Sequence, residues 1–426
     1  MKFHNFLFIF MINQIISLEK KGKNYAVLVA GSNNYINYRH QADVFHLYHI
    51  LLTLGFEKEN IILFAYDDIV NNIQNPFKGK IFNDQTGKNY YENIKIDYRE
   101  NEVNIENYIN VLLGNKTEKS KKVLETNSED NIFLYFSDHG SEGFIIFPDF
   151  KFLYADKLQE TFVKMQEKKM FNKLIYYLEA CHSGSMFNSL PNNLNIYSVT
   201  AANSNESSYA YFCYPNDIVN GVSIGSCLGD EFTYHLFNIL NLNLYNANFT
   251  FHQSFLETKR LTKKSHVMEF GNKNLGNENF RNFFFGNKIK EINLMSIMKN
   301  LNQSKLNQKI KRIKSTNVKL AYLEMKASRT NNINALIEYQ KELQLTQEIK
   351  KRFEKFTFII HLLNKENKNE IKTDFNCLRF SNEIYREKCG IDERDIEFLS
   401  IFSNFCSIYN LNYLDLYKAI SLICEK

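Results

Sequence analysis

The strongest constraint on this chain is a recurrence of short, unbroken apolar runs, each stopped by small or polar residues. They are Asn24–Gly31 (NYAVLVAG), Asn60–Ala65 (NIILFA), Asn131–Phe136 (NIFLYF), Leu174–Leu178 (LIYYL) and Asn195–Ala201 (NIYSVTA). Runs this short, apolar on both faces, read as strands buried on both sides, and such strands belong to parallel sheets covered by helices. Val44–Leu54 carries apolar residues at helical spacing and stops at Gly55, so the first two runs form a strand–helix–strand unit. Helical spacing over Asp156–Lys169, and an apolar stretch after Gly229-Asp230-Glu231 through Leu240, continue the pattern. Gly143–Pro148 is expected to form a short hairpin partner. Asn71–Asn127, polar and broken by Gly79, Gly87 and Gly114, is expected to supply surface loops with one helical patch at Ile105–Leu113.

With 426 residues there is room for two domains and a linker. Met1–Ser17 places Lys2 ahead of the apolar run Phe6–Ile12 and a small residue at its end, the pattern of a secretory signal peptide. That run is too short to span a bilayer, and no later apolar run reaches spanning length, so a soluble mature protein is expected. A net charge of +5 over this length gives no reason to expect nucleic acid as a partner. After Phe284 the character changes: seven Lys or Arg between positions 305 and 326 face a single acid, Glu324. Beyond Asn334 the chain reads as helical, as in Ala335–Phe353 and Asp392–Tyr409. The expected plan is a signal peptide (1–17), an α/β domain (18–287), a basic linker (288–331) and a small helical domain (332–426). Cys377, Cys389, Cys406 and Cys424 crowd the tail and suggest two disulfides with three pairings open. Cys181, Cys213 and Cys227 leave at least one thiol over if none pairs with the tail.

Open α/β sheets bind ligands outside the carboxyl ends of their strands. Two such ends carry reactive residues: NIFLYF runs into Ser137-Asp138-His139-Gly140, and LIYYL into Glu179-Ala180-Cys181-His182-Ser183-Gly184. A lone cysteine is more often a buried structural residue. A cysteine and a histidine at neighbouring strand ends would instead meet at one edge of the sheet. The thiolate attacks a carbonyl, and the imidazole carries a proton to the departing amine. Backbone N–H groups of Gly140 and Cys181 could then hold the developing oxyanion. This chemistry requires no metal and no cofactor.

Longer stretches accompany these two ends, in this order: AGSNNYINYRHQAD (Ala30–Asp43), YDD (Tyr66–Asp68), YFSDHGS (Tyr135–Ser141), EACHSGSMF (Glu179–Phe187), TAANSNESSYA (Thr200–Ala210), LGD (Leu228–Asp230) and SHVMEFGNK (Ser265–Lys273). On them the chain resembles the legumain, or asparaginyl endopeptidase, family of caspase-like cysteine peptidases over about residues 24–426. The resemblance implies a caspase-like, mostly parallel sheet flanked by helices, followed by a small all-α prodomain bearing disulfides. It implies Cys181 as nucleophile, His139 as acid/base and Asn37 as the residue orienting the imidazole. Arg39, His40, Glu179, Ser207 and Asp230 would line the specificity pocket, with Asp138 beside the site. It further implies the pairs Cys377–Cys406 and Cys389–Cys424, self-cleavage after Asn331, and an acidic lysosome- or vacuole-like compartment or secretion. Its partners would be protein substrates, the chain's own prodomain in cis and inhibitors of the cystatin type. Side-chain chemistry supports the pocket independently: an asparagine offers a carbonyl that Arg39 can meet and an NH2 that Glu179 and Asp230 can accept.

Three departures from the family stand out. His182 follows the cysteine where an acid is common, Cys227 precedes Leu228-Gly229-Asp230 where an aromatic residue is common, and the linker is poor in proline. Alternatives on the same fold are a peptide ligase, in which an amine intercepts the acyl-enzyme, and the catalytic subunit of the glycosylphosphatidylinositol transamidase. The latter normally has a membrane anchor in place of this tail. A secreted binding protein or inactive homologue is the non-enzymatic alternative. Sequons occur at Asn115, Asn248 and Asn302, with a formal one at Asn205.

Overall fold

All five apolar runs are strands of one six-stranded sheet in the computed structural model. The structure describes residues 22–118, 121–243, 246, 248–284, 310–330, 332–363, 373–408 and 413–425; the expected signal peptide, Asn302 and Asn331 lie outside them. In chain order come β1 (Asn24–Ala30), α1 (Tyr38–Thr53), β2 (Ile61–Phe64), α2 (Ile105–Leu112) and β3 (Asn131–Ser137). An antiparallel excursion of β4 (Gly140–Ser141), β5 (Phe144–Phe147) and β6 (Lys151–Tyr154) leads through α3 (Ala155–Glu167) to β7 (Lys173–Glu179) and β8 (Ile196–Thr200). Short strands β9 (Tyr209–Tyr211), β10 (Ile218–Val219), β11 (Val222–Ser223) and β12 (Gly229–Asp230) precede α4 (Glu231–Asn243), α5 (Phe251–Leu261), β13 (Met268–Gly271), α6 (Lys273–Gly276) and α7 (Phe280–Phe284).

The sheet order is β13-β8-β7-β3-β1-β2, parallel throughout except at the β8–β13 edge. Alternation along each strand explains why the runs are apolar throughout. Leu28, Tyr135, Tyr177 and Val199 pack beneath α1, α4 and α5, whereas Val29, Phe136 and Leu178 pack against α2 and α3. The register positions the chemistry. Ala30 pairs with Ser137, and Ser137 with Glu179, so β1, β3 and β7 end on one level. His139 and Cys181, each two residues past that row, therefore leave adjacent strands at the same height.

Three local expectations change. Helix α1 starts at Tyr38, six residues before Val44, because Arg39, His40, Gln41 and Asp43 are buried polar residues that break the apolar pattern without breaking the helix. The hairpin at Gly143–Pro148 gains a further strand, β6. The loops between Asn71 and Asn127 also bury Ile81, Phe82, Tyr90, Ile96 and Tyr98, so they extend the core as well as covering it.

The stretch expected as a linker is ordered over its described part. β14 (Arg312–Lys314) pairs antiparallel with β9, and α8 (Val318–Arg329) follows. Ile313, Val318 and Tyr322 pack on Ala210 and the Cys213–Cys227 disulfide, which gives the basic segment an apolar anchor. Helices α9 (Ile333–Leu363), α10 (Phe375–Cys389), α11 (Ser400–Ile408) and α12 (Tyr413–Cys424) form the tail domain, tied by Cys377–Cys406 and Cys389–Cys424. Its core of Phe353, Leu378, Phe402 and Ile420 is continuous with Phe144, Ile146 and Phe152 of β5 and β6. Asp392–Leu399, expected as helix, contains turns and no regular helix. Asp395 accepts hydrogen bonds from Tyr385 Oη at 2.6 Å and from the Asp392 amide at 2.9 Å, side-chain bonds of the kind that compete with a helical ladder.

Candidate active site

Cys181 is the single free cysteine among the described residues, and it is buried. The β3 and β7 ends approach each other so closely that a Cβ on Gly140 would lie 2.7 Å from the Cys181 carbonyl oxygen. A side chain at position 140 would force the two ends apart, which accounts for glycine beside the histidine. His182, next to the cysteine, adopts a left-handed backbone (φ 54°) and donates its amide to the Glu206 carbonyl at 2.7 Å. Its Nδ1 lies 2.9 Å from the Ser204 carbonyl, and burial holds its imidazole below the ordinary value. Burial pushes the Cys181 thiol up, opposed by hydrogen bonds from Ser208 and Ser207; the Ser208 hydroxyl is 3.9 Å from Sγ.

Asn37 occupies the N-cap of α1, a position where asparagine commonly caps the helix, yet its side chain makes no capping bond. Its Nδ2 donates to the Asn33 carbonyl at 3.2 Å, which turns Oδ1 toward His139 Nε2 at 3.0 Å. That network assigns the imidazole proton to Nε2. Nδ1 is buried without a hydrogen-bond partner among the described residues.

Behind this pair lies a buried charge cluster. The fully buried Arg39 donates from Nε to Asp230 at 2.9 Å, from Nη1 to Asn37 at 3.4 Å and from Nη2 to the Ser315 hydroxyl at 2.6 Å. His40 meets Ser32 Oγ at 2.7 Å, Asp138 at 3.3 Å and Asp230 at 3.8 Å, and its ring stands edge-on to that of His139. Burial, reinforced by Arg39 and His139, holds it far below the ordinary imidazole value. Glu179 accepts from Thr233 Oγ1 at 3.2 Å; burial and the nearby Asp230 push its carboxyl well up. Burial also raises Asp230, while Arg39 and a hydrogen bond from Asp43 oppose the rise. Asp43 is raised well above its ordinary value, by burial and then by the neighbouring Asp230. The cluster thus presents one guanidinium and several carboxyls of adjustable protonation.

The tail reaches the same point. Glu393 Oε1 lies 3.4 Å from His139 Nε2, and Glu397 pairs with Lys314 of β14. Arg379 and Asp156 close a contact at 2.5 Å, and Arg386 donates to the Phe150 carbonyl at 2.5 Å. The tail residue that meets the histidine is a carboxylate, and the tail's contact with the α/β domain is partly apolar. Asp43, Ser208, Thr233, Ser315 and Glu393 were not anticipated as site residues. Asp43 and Ser208 lie inside the quoted motifs, whereas an acid or hydroxyl elsewhere in the chain carries no local signal. Asn205, formally a sequon, is exposed beside the site.

Residues 24–322 match the model of the Peptidase C13 family. Hemoglobinase of Schistosoma mansoni is 45% identical over 59% of this chain and 57% of its own length. The vacuolar-processing enzyme delta-isozyme of Arabidopsis thaliana is 43% identical over 61% and 58%, and legumain of Rattus norvegicus 40% identical over 60% and 58%. The matched part of this chain spans a little over half the length of each of these relatives. Caspase-1 of Spodoptera frugiperda aligns with 59% of this chain and 87% of its own at 11% identity and a TM-score of 0.34, a likeness too loose to add to the strand pairing seen directly. On the family match across its whole α/β domain, with the cysteine and histidine ends inside it, this chain belongs to the Peptidase C13 family.

Proposed function

We propose that the protein is a cysteine endopeptidase that hydrolyses peptide bonds after asparagine and is held latent by its own tail. The observation that carries this reading is the shared register of β3 and β7, which sets His139 and Cys181 at one sheet edge, with Asn37 on His139 Nε2. His139 Nδ1 takes the thiol proton as Cys181 attacks the carbonyl and later delivers it to the departing amine. The N–H groups of Gly140 and Cys181 stabilise the oxyanion. Water then hydrolyses the acyl-enzyme. Arg39 meets the asparagine carbonyl, and Glu179 and Asp230 accept from its NH2. His40, Ser207 and Asp138 complete the pocket. The names of the relatives support peptidase activity and, for the plant protein, a vacuolar setting. An acidic lysosome- or vacuole-like compartment fits the latch described below. No described helix is long and apolar enough to cross a membrane, so nothing in the described tail favours the transamidase alternative.

An acidic pocket dictates a pH dependence. A substrate aspartate is repelled while it and the pocket carboxyls are ionised, and is accepted once they protonate. The raised Glu179 and Asp230 neutralise first as pH falls. Fluorogenic peptides ending in Asn should therefore be cut in weak acid and near neutrality, and Asp peptides only in acid. Equal Asn and Asp rates at neutral pH contradict the pocket assignment.

The latch is electrostatic in part. Burial alone would raise the Glu393 carboxyl; the hydrogen bond to His139 and the charges of His139, Arg39 and Lys319 outweigh it and hold the group below its ordinary value. A carboxyl depressed on docking stabilises the docked state above its ordinary value and loses that contribution as pH falls through the docked one. Acid therefore loosens the tail, and cleavage at or near Asn331 makes the release permanent. Glu393→Gln should shift activation of the full chain to higher pH, read as tail cleavage on gels across a pH series. An unchanged profile removes Glu393 from the latch.

A further inference from the structure

We propose a recognition site, formed by Glu231 and Tyr211, for a basic side chain three residues before the cleaved one. The proposal rests on the endopeptidase reading and uses the chain's own β14 as a stand-in for substrate. A peptide that adds a strand to a sheet edge is held by main-chain bonds, and its side chains are sorted into pockets. β14 binds in that way. Ser315 donates its amide to the Ser208 carbonyl at 3.1 Å and presents its hydroxyl to Arg39, the position an asparagine would take, and Arg312 pairs in register with Tyr211.

Arg312 then lies three residues upstream. Its Nε donates to Glu231 Oε1 at 2.5 Å, and its guanidinium stands 5.0 Å over the Tyr211 ring. Glu231 directly follows the pocket residue Asp230 and is 1% exposed. Its Oε1 also accepts the Lys263 amide at 3.1 Å, His235 Nε2 is 4.0 Å away, and Oε2 has no hydrogen-bond partner among the described residues. When a substrate strand displaces β14 from β9, this buried carboxylate loses its only guanidinium among the described residues, a costly state that an incoming Arg or Lys relieves. The neighbouring position differs. Lys314 pairs with Glu397 of the tail, so that partner departs with the tail, whereas Glu231 and Tyr211 belong to the α/β domain.

The test offers the acid-activated full-length protein four fluorogenic tetrapeptides, Xaa-Ala-Ala-Asn, with Xaa as Arg, Lys, Ala or Glu. The Arg peptide should exceed the Ala peptide by about tenfold in kcat/KM, mainly through KM, as expected for a charge-assisted hydrogen bond. The Glu peptide should fall below Ala. In Glu231→Gln the Arg-to-Ala ratio should collapse toward one; should that variant fail to fold, the wild-type rank order decides. Equal turnover of the four by the wild type overturns the subsite and leaves asparaginyl cleavage standing. Turnover of none of them contradicts the endopeptidase reading and this inference with it.

Discussion

Cys181→Ala should abolish cleavage of an asparaginyl peptide, with a loss of at least about 10⁴-fold under acid conditions in which the wild type turns over. No described residue offers a second thiol, because Cys213 and Cys227 are joined to each other and the tail cysteines are paired. The fold should survive. The thiol donates no strong bond, the Ser208 carbonyl still accepts the Ser315 amide, and replacing sulfur by hydrogen costs roughly 1 kcal/mol. A melting curve beside the activity assay separates the two effects. His139→Ala should fall to a similar floor, and the double variant should add little, because groups that act as one unit are not additive. Residual turnover within tenfold of wild type in Cys181→Ala contradicts the assignment.

Arg39→Ala should be the most damaging change in the pocket, because it removes both recognition and a structural charge. The guanidinium is fully buried and serves Asp230, Asn37 and Ser315 at once. Without it Asp230 is a buried carboxyl that faces Asp43 and Glu179 and has lost its guanidinium partner, and leaving a buried pair half-made costs about 3–5 kcal/mol. Asparaginyl turnover should vanish together with that stability, read as a lower unfolding midpoint in urea. Arg39→Lys distinguishes the roles. It restores a positive charge beside Asp230 and so recovers most of the stability, but one ammonium cannot replace a planar fork that meets three partners. Asparagine cleavage should stay low. A lysine variant with wild-type kcat/KM would show that the pocket needs only charge.

Much of the fold was legible because parallel strands buried on both faces are written as apolar runs, and those runs end at the residues that matter. What the runs could not show is where polar residues are buried. Arg39, His40 and Asp43 look like surface residues by type, so α1 read as starting at Val44, whereas they occupy its first two turns facing inward. The pairing of His139 with Asn37 follows from tertiary placement of an N-cap side chain turned away from its helix, which the family motif implies and no local pattern reveals. Asp392–Leu399 failed as a helix because Asp395 spends its carboxylate on Tyr385 and the local backbone, and the turns that result deliver Glu393 to His139. Lysines and arginines at 305–326 read as a basic linker; Ile313, Val318 and Tyr322 among them are enough to anchor it beside the site.

The most direct test of the central claim is to map what the protein cuts. The full-length chain, acidified and then mixed with an unfolded protein substrate, yields new termini that mass spectrometry assigns residue by residue. New carboxyl termini at asparagine, joined by aspartate only at the acid end of the series and absent with Cys181→Ala, are the predicted result. Termini spread over other residue types, or asparaginyl cuts that persist in Cys181→Ala, contradict it.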